Sequence, residues 1–265
     1  MNGDFLVKVS KQEILAHQAN FNQPSYTTPE GIANWPAYGD TTLGISKDLA
    51  PFVDANSNGC YDPESGDYPI IKGDKAIYWI NHPDDKTLEL EYHWMMYAYD
   101  APNNELDQTV FVQYTIVNRA VTVYDSVKVG FYFDADLGSS NDDYVGCDVE
   151  RGLGFCFNGD EFDEDNSGRP GYGENPPAIG VDFFQGPFQD TDGKDNCLCN
   201  TYADAIADDG IVYDGSGVGY GNGIVDDERL GMRAFLYHNN DRSVTGDPRV
   251  ANDYYNFLQS ILLVR

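Results

Sequence analysis

Three consecutive segments of the chain alternate apolar and polar residues with a period of two, and this pattern constrains the fold more than any other feature. They are Leu88–Tyr99, Gln108–Val117 and Ser126–Phe133. β-Branched and aromatic residues fill their apolar positions, which is typical of half-buried strands. Asn103–Asn104 and Val123–Asp125 lie between them as turns. The segments therefore predict an antiparallel meander with one buried face.

The rest of the chain adds short apolar runs between long loops rich in Asp, Gly and Asn. These runs are Ala76–Asn81, Leu153–Phe157, Ala178–Phe184 and Met232–His238. Ser10-Lys-Gln-Glu13 is a capping box that starts a helix, and Asp253–Leu262 has the pattern of a second, amphipathic helix. The prediction is a mainly all-β chain: an antiparallel β-sandwich or jelly-roll-like domain with long acidic loops and one or two short helices. No linker is evident, so a single elaborated domain is expected over residues 1–265.

The charge of the chain limits its partners. There are 44 Asp and Glu residues against 16 Lys and Arg, for a net charge of −28. Such a field repels the phosphates of nucleic acids and of anionic lipids. The sequence also lacks an apolar run of about 18 residues, which a membrane span needs. We expect no nucleic acid and no membrane insertion, and partners among calcium ions, neutral glycans, other surface proteins or copies of the chain itself.

One loop carries the comb of oxygen ligands that calcium uses in EF-hand-type loops. Oxygen-bearing side chains stand at relative positions 1, 3, 5 and 9, a glycine at 6, and a residue that would bind through its carbonyl at 7; they are Asp54, Asn56, Asn58, Asp62, Gly59 and Cys60. Calcium takes six to eight hard oxygens, and alternate residues of a tight loop point inward. The sequence therefore predicts a calcium site here.

The comb departs from the EF-hand at its last position. Position 12 is Ser65, where an EF-hand has a bidentate Glu. Glu64 or Asp67 would have to complete the coordination shell. The competing interpretation is a turn rich in Asn and Asp that binds no metal.

Two further metal sites are predicted. The stretch from Asn222 to Glu228 repeats the order Asn-Gly-x-apolar-Asp-x-Glu of residues 58–64, which gives Asn222, Asp226 and Glu228 as ligands. Val218 and Tyr220 occupy the upstream ligand positions, so Asp214 or Ser216 would have to substitute; a plain acidic turn is the alternative. Asp134 and Asp136, directly after the third alternating segment, form the third candidate. The clusters at residues 160–165 and 190–195 are interpreted as solvated loops.

No arrangement of residues typical of an enzyme stands out. The chain has no GxSxG, HExxH, P-loop or dinucleotide-binding motif. Glu91, His93 and Tyr97 share a strand face and could line a cleft, although a half-buried strand face is the commoner meaning. Tryptophans could stack on sugars, but Trp79 and Trp94 lie in strand patterns and are expected in the core.

Five cysteines leave at least one without an internal partner. Cys147 and Cys156 could pair across a turn, whereas Cys197-Leu-Cys199 is too tight for an easy bridge. Zinc is not expected, because the chain lacks CxxC spacing with nearby His.

Several short motifs follow one another along the chain: Asn34-Trp-Pro-Ala-Tyr-Gly-Asp40, Gly66-Asp-Tyr-Pro-Ile-Ile-Lys-Gly-Asp74, Asp142-Asp-Tyr-Val-Gly-Cys-Asp148, Phe184-Gln-Gly-Pro187 and Glu228-Arg-Leu-Gly-Met232. This series resembles large uncharacterised secreted proteins of Bacteroidota that are exported by the type IX secretion system. The resemblance spans residues 5 to 260. It implies an extracellular or cell-surface location, and it implies that this chain is an internal portion of a longer protein with a signal peptide and a C-terminal sorting domain.

Together these observations predict a non-catalytic structural or adhesive surface module stabilised by calcium. A carbohydrate-binding module or a glycan-active hydrolase of a secreted bacterial protein is the alternative.

Overall fold

The computed structural model describes residues 5–81, 88–125, 127–148, 150–166, 168–189, 191–207, 211–212, 217–238 and 246–259. These residues form two compact units that divide after residue 126. Each unit is described by itself. The prediction of one domain over residues 1–265 stays a prediction.

The first unit consists of one four-stranded sheet, a two-stranded ribbon and short helices. Its strands are β1 (Phe5–Ser10), β2 (Phe52–Val53), β3 (Tyr68–Pro69), β4 (Lys75–Asn81), β5 (Leu90–Ala98) and β6 (Phe111–Asn118). Its α-helices are α1 (Lys11–Asn20) and α2 (Glu30–Ala33), and its 3-10 helices are Thr41–Leu43, Pro63–Ser65 and Glu105–Gln108.

The large sheet has the order β1-β4-β5-β6, with every pair antiparallel. The strands predicted at Ala76–Asn81, Leu88–Tyr99 and Gln108–Val117 are confirmed as β4, β5 and β6 within a few residues. The capping box is confirmed too. The Ser10 hydroxyl accepts from the Glu13 amide at 3.2 Å, and the Glu13 carboxylate accepts from the Ser10 amide at 2.7 Å.

One face of this sheet supports the hydrophobic core of the unit. Ala76, Tyr78 and Ile80 alternate along β4 and are buried there. They join residues of β1, α1, α2 and the loop before β2 in one cluster, namely Val9, Ile14, Ile32, Trp35, Ala37, Ile45, Leu49, Ala50 and Met95. The core therefore forms between the sheet and the chain segments that precede β4.

The core contains one tryptophan, and it is neither of the two that were predicted there. Trp35 is buried in the core and its indole N–H donates to the Pro51 carbonyl at 3.0 Å. Trp79 and Trp94 are only half-buried and lie outside that cluster. Their positions on β4 and β5 alternate with the core residues, so strand periodicity directs them to the opposite face. The expectation that they belong to the core is wrong.

A buried acid lies under the core side of the sheet. Glu91 has no exposed surface, and its carboxylate accepts from the Ser46 amide at 2.9 Å. The His93 ring nitrogen lies 2.6 Å from the other carboxylate oxygen. Glu91 thus joins the loop after α2 to the sheet.

Replacing Glu91 with Ala should lower the free energy of unfolding by about 3–5 kcal/mol, because removal of one partner leaves buried polar groups uncompensated. The matched control is Glu89→Ala, two residues away and exposed, which should change it by less than about 0.5 kcal/mol. Urea unfolding measures both. Equal losses in the two variants would contradict the role given to Glu91.

The second unit consists of short sheets joined by long loops. Its strands are β7 (Asp143–Asp148), β8 (Leu153–Asn158), β9 (Phe162–Asp163), β10 (Gly173–Glu174), β11 (Ala178–Asp182), β12 (Leu198–Cys199) and β13 (Ile211–Val212). Its helices are α3 (Tyr202–Ala207) and α4 (Ala251–Leu258). The central sheet has the order β11-β8-β7, all antiparallel.

Of two predictions about this unit, the strand is wrong and the helix is confirmed. Residues 127–133, which belong to the predicted strand Ser126–Phe133, form no strand. The helix expected at Asp253–Leu262 is present as α4; residues 260–262 lie outside the described part of the chain.

The cysteines also differ from expectation. Cys147 lies opposite Gly154 and Cys156 opposite Val145, so the two cysteines are offset by two residues and remain free. A diagonal offset of this kind separates Cβ atoms beyond the reach of a disulfide. Cys197 and Cys199 instead form a disulfide, with their Cα atoms 5.2 Å apart.

The mainly-β class with antiparallel sheets and a few short helices is confirmed. Four of the five sheets in the described residues are antiparallel, and the ribbon of β12 and β13 is parallel. The packing of one sheet on another that defines a sandwich stays a prediction. None of the helices in the described part of the chain has the length and apolar character that a membrane crossing needs.

Candidate metal centre

The segment 54–67, here called the Asp54 loop, leaves strand β2 and returns to strand β3. Pairing of Phe52 with Pro69 and of Val53 with Tyr68 brings its two ends together. The Tyr61 hydroxyl donates to the Ile32 carbonyl at 2.6 Å. The His17 ring nitrogen lies 3.1 Å from the Asp67 carbonyl oxygen. The loop is therefore closed at its base and fastened to the core of the first unit.

The carboxylate of Asp54 lies at the centre of the sharp turn. It accepts from the backbone amides of Asn58 at 3.1 Å and of Gly59 at 2.7 Å. Gly59 has a φ of +78°, a conformation that suits glycine because it has no side chain. The chain thus wraps around the first residue of the comb, as the sequence pattern predicts.

The two asparagines connect this turn to Asp62. Asn56 Nδ2 lies 3.3 and 3.4 Å from the Asp62 carboxylate oxygens, and Asn58 Nδ2 lies 3.2 Å from one of them. Asn56 Oδ1 accepts from the Asn58 backbone amide at 3.0 Å, and Asn58 Oδ1 accepts from the Cys60 backbone amide at 2.7 Å. Asp54, Asn56, Asn58 and Asp62 therefore belong to one small hydrogen-bonded network.

Asp67 completes the network from the other end of the loop. Its side chain has no exposed surface. One carboxylate oxygen accepts from the Ala55 amide at 2.8 Å, and the other from the Asp62 amide at 2.9 Å. Glu64, the alternative twelfth ligand, is exposed and accepts from the Thr28 hydroxyl at 3.5 Å. Of the two candidates, Asp67 is the one inside the loop.

The pKa values of two carboxyl groups of the loop shift in opposite directions. Burial raises the pKa of Asp67, and the neighbouring Asp62 carboxylate raises it further. Hydrogen bonds from Ser65 and then Asp67 lower the pKa of Asp62. A pair of this kind holds one proton between two acids, or a cation in its place.

A second set of residues, here called the Asp195 loop, repeats this arrangement with chain segments 192–196 and 221–228. Asp195 accepts from the Asn222 amide at 3.2 Å and from the Gly223 amide at 2.6 Å, as Asp54 does from Asn58 and Gly59. Asn222 Oδ1 accepts from the Ile224 amide at 2.7 Å, as Asn58 does from Cys60. The first ligand position, which Val218 cannot fill, is thus supplied by a residue 27 positions before Asn222.

Glu228 corresponds to Asp67. It is 2 % exposed and accepts from the Asn196 amide at 2.6 Å. Asn196 follows Asp195 just as Ala55 follows Asp54. In each loop, a buried acid from the end of the loop binds the amide that follows the first acid.

Asp226, the third predicted ligand of this set, has a different place. It accepts from the Gly193 amide at 2.8 Å. The side-chain amide of Asn222 donates to the Asp227 carboxylate instead, at 3.0 Å. Sequence reasoning missed Asp195 and Asp227. Asp195 could have been noticed through its cluster of acids around Gly193. Asp214 and Ser216 lie outside the described residues.

The third predicted pair lacks the strand on which the prediction depended, because residues 127–133 are not in a strand. Asp134 is exposed. Asp136 is 51 % exposed at its side chain and lies 3.7 Å from Arg169. The two acids stand in an open part of the second unit.

In the part of the chain that the structure describes, no three His, Cys, Asp or Glu side chains form a closed metal-binding set. A cation at either loop would therefore need amide and backbone oxygens as well, which calcium accepts. The chain matches no protein-family model, no curated protein and no solved structure.

The cleft considered for catalysis opens on the core side of the sheet. His93, Lys72, Gln113 and Thr115 are among the residues that line it. Its lining, as far as the described residues form it, contains no Asp or Glu. The two facing carboxylates of a glycoside hydrolase are not present in that lining.

The opposite face of the sheet carries a row of aromatic rings. Trp79 and Trp94 are stacked with ring centroids 5.4 Å apart and planes 3° apart, and Tyr114 lies 5.0 Å from Trp94. The Trp94 indole N–H donates to Asn81 at 2.8 Å. This aromatic ridge is the feature of the first unit that fits a sugar ring.

The raised pKa of Asp67 predicts a pH dependence in the absence of calcium. A folded-state pKa above the unfolded value gives a stability contribution that is present below about pH 4 and is lost as the pH rises through the folded-state pKa. In EDTA, the melting temperature of the wild-type chain relative to Asp67→Asn should therefore fall as the pH rises above about 4. Calcium should remove this fall, because it stabilises the charged form. The exposed variant Asp100→Asn should show no such trend, and a pH-independent difference for Asp67→Asn in EDTA would contradict the assignment.

Proposed function

We propose that the chain is a non-catalytic structural or adhesive module of an extracellular or cell-surface protein, and that calcium stabilises it. The observation that carries the proposal is the repeated geometry of the Asp54 and Asp195 loops. Two segments with different chain connectivity place an acid, an Asn-Gly turn and a buried second acid in the same relation. A plain solvated turn does not require this recurrence.

Electrostatics supports a cation in both loops. Each loop brings carboxylates together in a chain with a net charge of −28. Asp67 and Glu228 are almost fully removed from water. Buried carboxylates are stable only when they are hydrogen-bonded, protonated or paired with positive charge. Calcium supplies that charge and accepts carboxylate, amide and carbonyl oxygens alike.

The resemblance to secreted Bacteroidota proteins supports the extracellular location and the place of the chain within a longer protein. Calcium-ordered loops suit a surface module, because they convert long acidic segments into fixed structure. The partners that fit are calcium ions, other surface proteins, copies of the chain and glycans.

Thermal unfolding at fixed ionic strength tests the proposal. Calcium at 100 times the Kd of a site should add about 2.7 kcal/mol. This stabilisation corresponds to several degrees in melting temperature for a chain of this size. Asp54→Ala and Asp195→Ala should each remove part of the calcium-dependent increase, and the double variant should remove more.

Asp100→Ala, in which the replaced side chain is exposed, is the control and should keep the full increase. A melting temperature that is the same in calcium and in EDTA would sink the proposal. Loss of the increase in one loop variant only would limit the metal site to that loop.

Glycan binding is the second candidate, and the aromatic ridge of Trp79, Trp94 and Tyr114 favours it. Neutral oligosaccharides such as those of cellulose or chitin should quench tryptophan emission and bind the Trp94→Ala variant at least about tenfold more weakly, a loss of about 1.4 kcal/mol. Tyr99→Ala, an exposed aromatic outside the ridge, is the control. Unchanged emission with every oligosaccharide would rule out this candidate.

A further inference from the structure

Three buried side-chain oxygens near the start of β7 and the end of β8 have no hydrogen-bond partner among the described residues. They are Oδ1 of Asp142, Oδ1 of Asp143 and Oδ1 of Asn158. Asp143 and Asn158 lie directly opposite each other in the β7–β8 register. Opposed residues of an antiparallel pair point to the same face of the sheet, so these two side chains are neighbours.

Asn158 is held in one orientation. It is 7 % exposed, and its amide group donates to the carbonyls of Asp160 and Phe162, both at 3.3 Å. Exchanging the positions of its Nδ2 and Oδ1 atoms would leave both carbonyls without these hydrogen bonds. Its oxygen is therefore fixed as a free acceptor in a region that already contains two carboxylates.

Backbone amides of the segment 137–139 hold two of the neighbouring carboxylates in place. Asp143 accepts from the Leu137 amide at 2.9 Å, and Asp163 accepts from the Ser139 amide at 2.9 Å. Between them, Gly138 has a φ of +66°, and a Cβ there would lie 1.8 Å from Asp163 Oδ2. Asp163 is 1 % exposed and uses its second oxygen to accept from the Tyr172 amide at 2.7 Å. The segment 137–139 thus holds two acids at a separation that side-chain motion alone cannot change.

The surroundings of Asp143 are negative. Burial raises its pKa, and the charges of Asp142, Asp163 and Asp136 add to this effect. A buried acceptor without a donor is costly, and three such acceptors occur in this part of the two strands. An ionised carboxylate and an amide oxygen have no proton to donate, and the side-chain N–H groups of Asn158 already donate to the Asp160 and Phe162 carbonyls. What the arrangement lacks is positive charge.

We propose that Asp142, Asp143 and Asn158 bind a calcium ion in the second unit. Oxygen-only donors in an irregular arrangement suit calcium, whereas magnesium demands near-ideal octahedral geometry. The site shares no ligand with the exposed pair Asp134 and Asp136 or with the Asp54 and Asp195 loops. It stands on its own observations and does not require the proposed function.

Hydrogen exchange read by mass spectrometry on the full chain tests the site locally. If opening of this region releases the ion, calcium at 100 times the Kd should slow exchange about a hundredfold in peptides covering residues 137–148 and 153–163. Asp143→Asn keeps an acceptor for the Leu137 amide but removes the charge, and it should abolish the effect. Asp134→Asn is the control and should retain it.

A second readout is the stability of Asp143→Asn relative to the wild-type chain, compared between EDTA and calcium. In EDTA, Asp143→Asn should be as stable as the wild-type chain or more stable, because it relieves repulsion between acids. In calcium it should be less stable than the wild type. If Asp143→Asn fails to fold, Asp142→Asn replaces it with the same expectations.

Unchanged exchange of both peptides in the wild-type chain would overturn the site, and so would full calcium protection in a folded Asp143→Asn variant. Peptides covering residues 54–67 in the same experiment report on the Asp54 loop. Protection there without protection at 137–163 leaves the proposed function standing and removes this site. Protection at 137–163 without protection at 54–67 supports this site and removes the calcium site of the Asp54 loop.

Discussion

The loops of this protein depend on carboxylates that accept hydrogen bonds from the backbone. Apart from the core of the first unit, the described residues include few large buried apolar side chains, and the long segments between strands are polar. In several of these segments an Asp or Glu side chain accepts from two amides or from one amide of a distant segment. Asp54, Asp67, Asp163 and Asp195 each accept from two. Backbone donors in loops must find acceptors, and here acids provide them where strands do not.

This use of acids has an electrostatic consequence. A carboxylate that accepts one amide per oxygen still has lone pairs, and the negative charge remains. When several such groups lie together and are removed from water, hydrogen bonds alone do not balance the repulsion. The opposite pKa directions of Asp62 and Asp67 express this imbalance within one loop. The same geometry that orders the loop therefore creates a place for a cation.

The sequence was informative where structure is local and less so where it depends on distant segments. Alternation located β5 and β6, a short apolar run located β4, and the capping box located the start of α1, because each signal is contained in a few consecutive residues. Residues 127–133 alternate equally well but form no strand. Gly130 lies in the middle of this segment, and a Cβ there would lie 2.4 Å from Leu258 of helix α4. Glycine weakens a strand and permits close packing, so contact with a helix replaced pairing with a neighbouring strand.

The Asp54 and Asp195 loops show the same division. The comb of the Asp54 loop is continuous in the chain, so spacing alone assembled Asp54, Asn56, Asn58 and Asp62. The Asp195 loop is split, and its first acid comes from a segment that the comb cannot reach by counting residues. A ligand pattern defined by fixed spacing finds only loops in which one segment supplies every ligand. A pattern defined by hydrogen bonds to an Asn-Gly turn finds both. In this chain, the acid that accepts from such a turn therefore identifies both candidate cation loops, whereas the spacing of the ligands identifies only one.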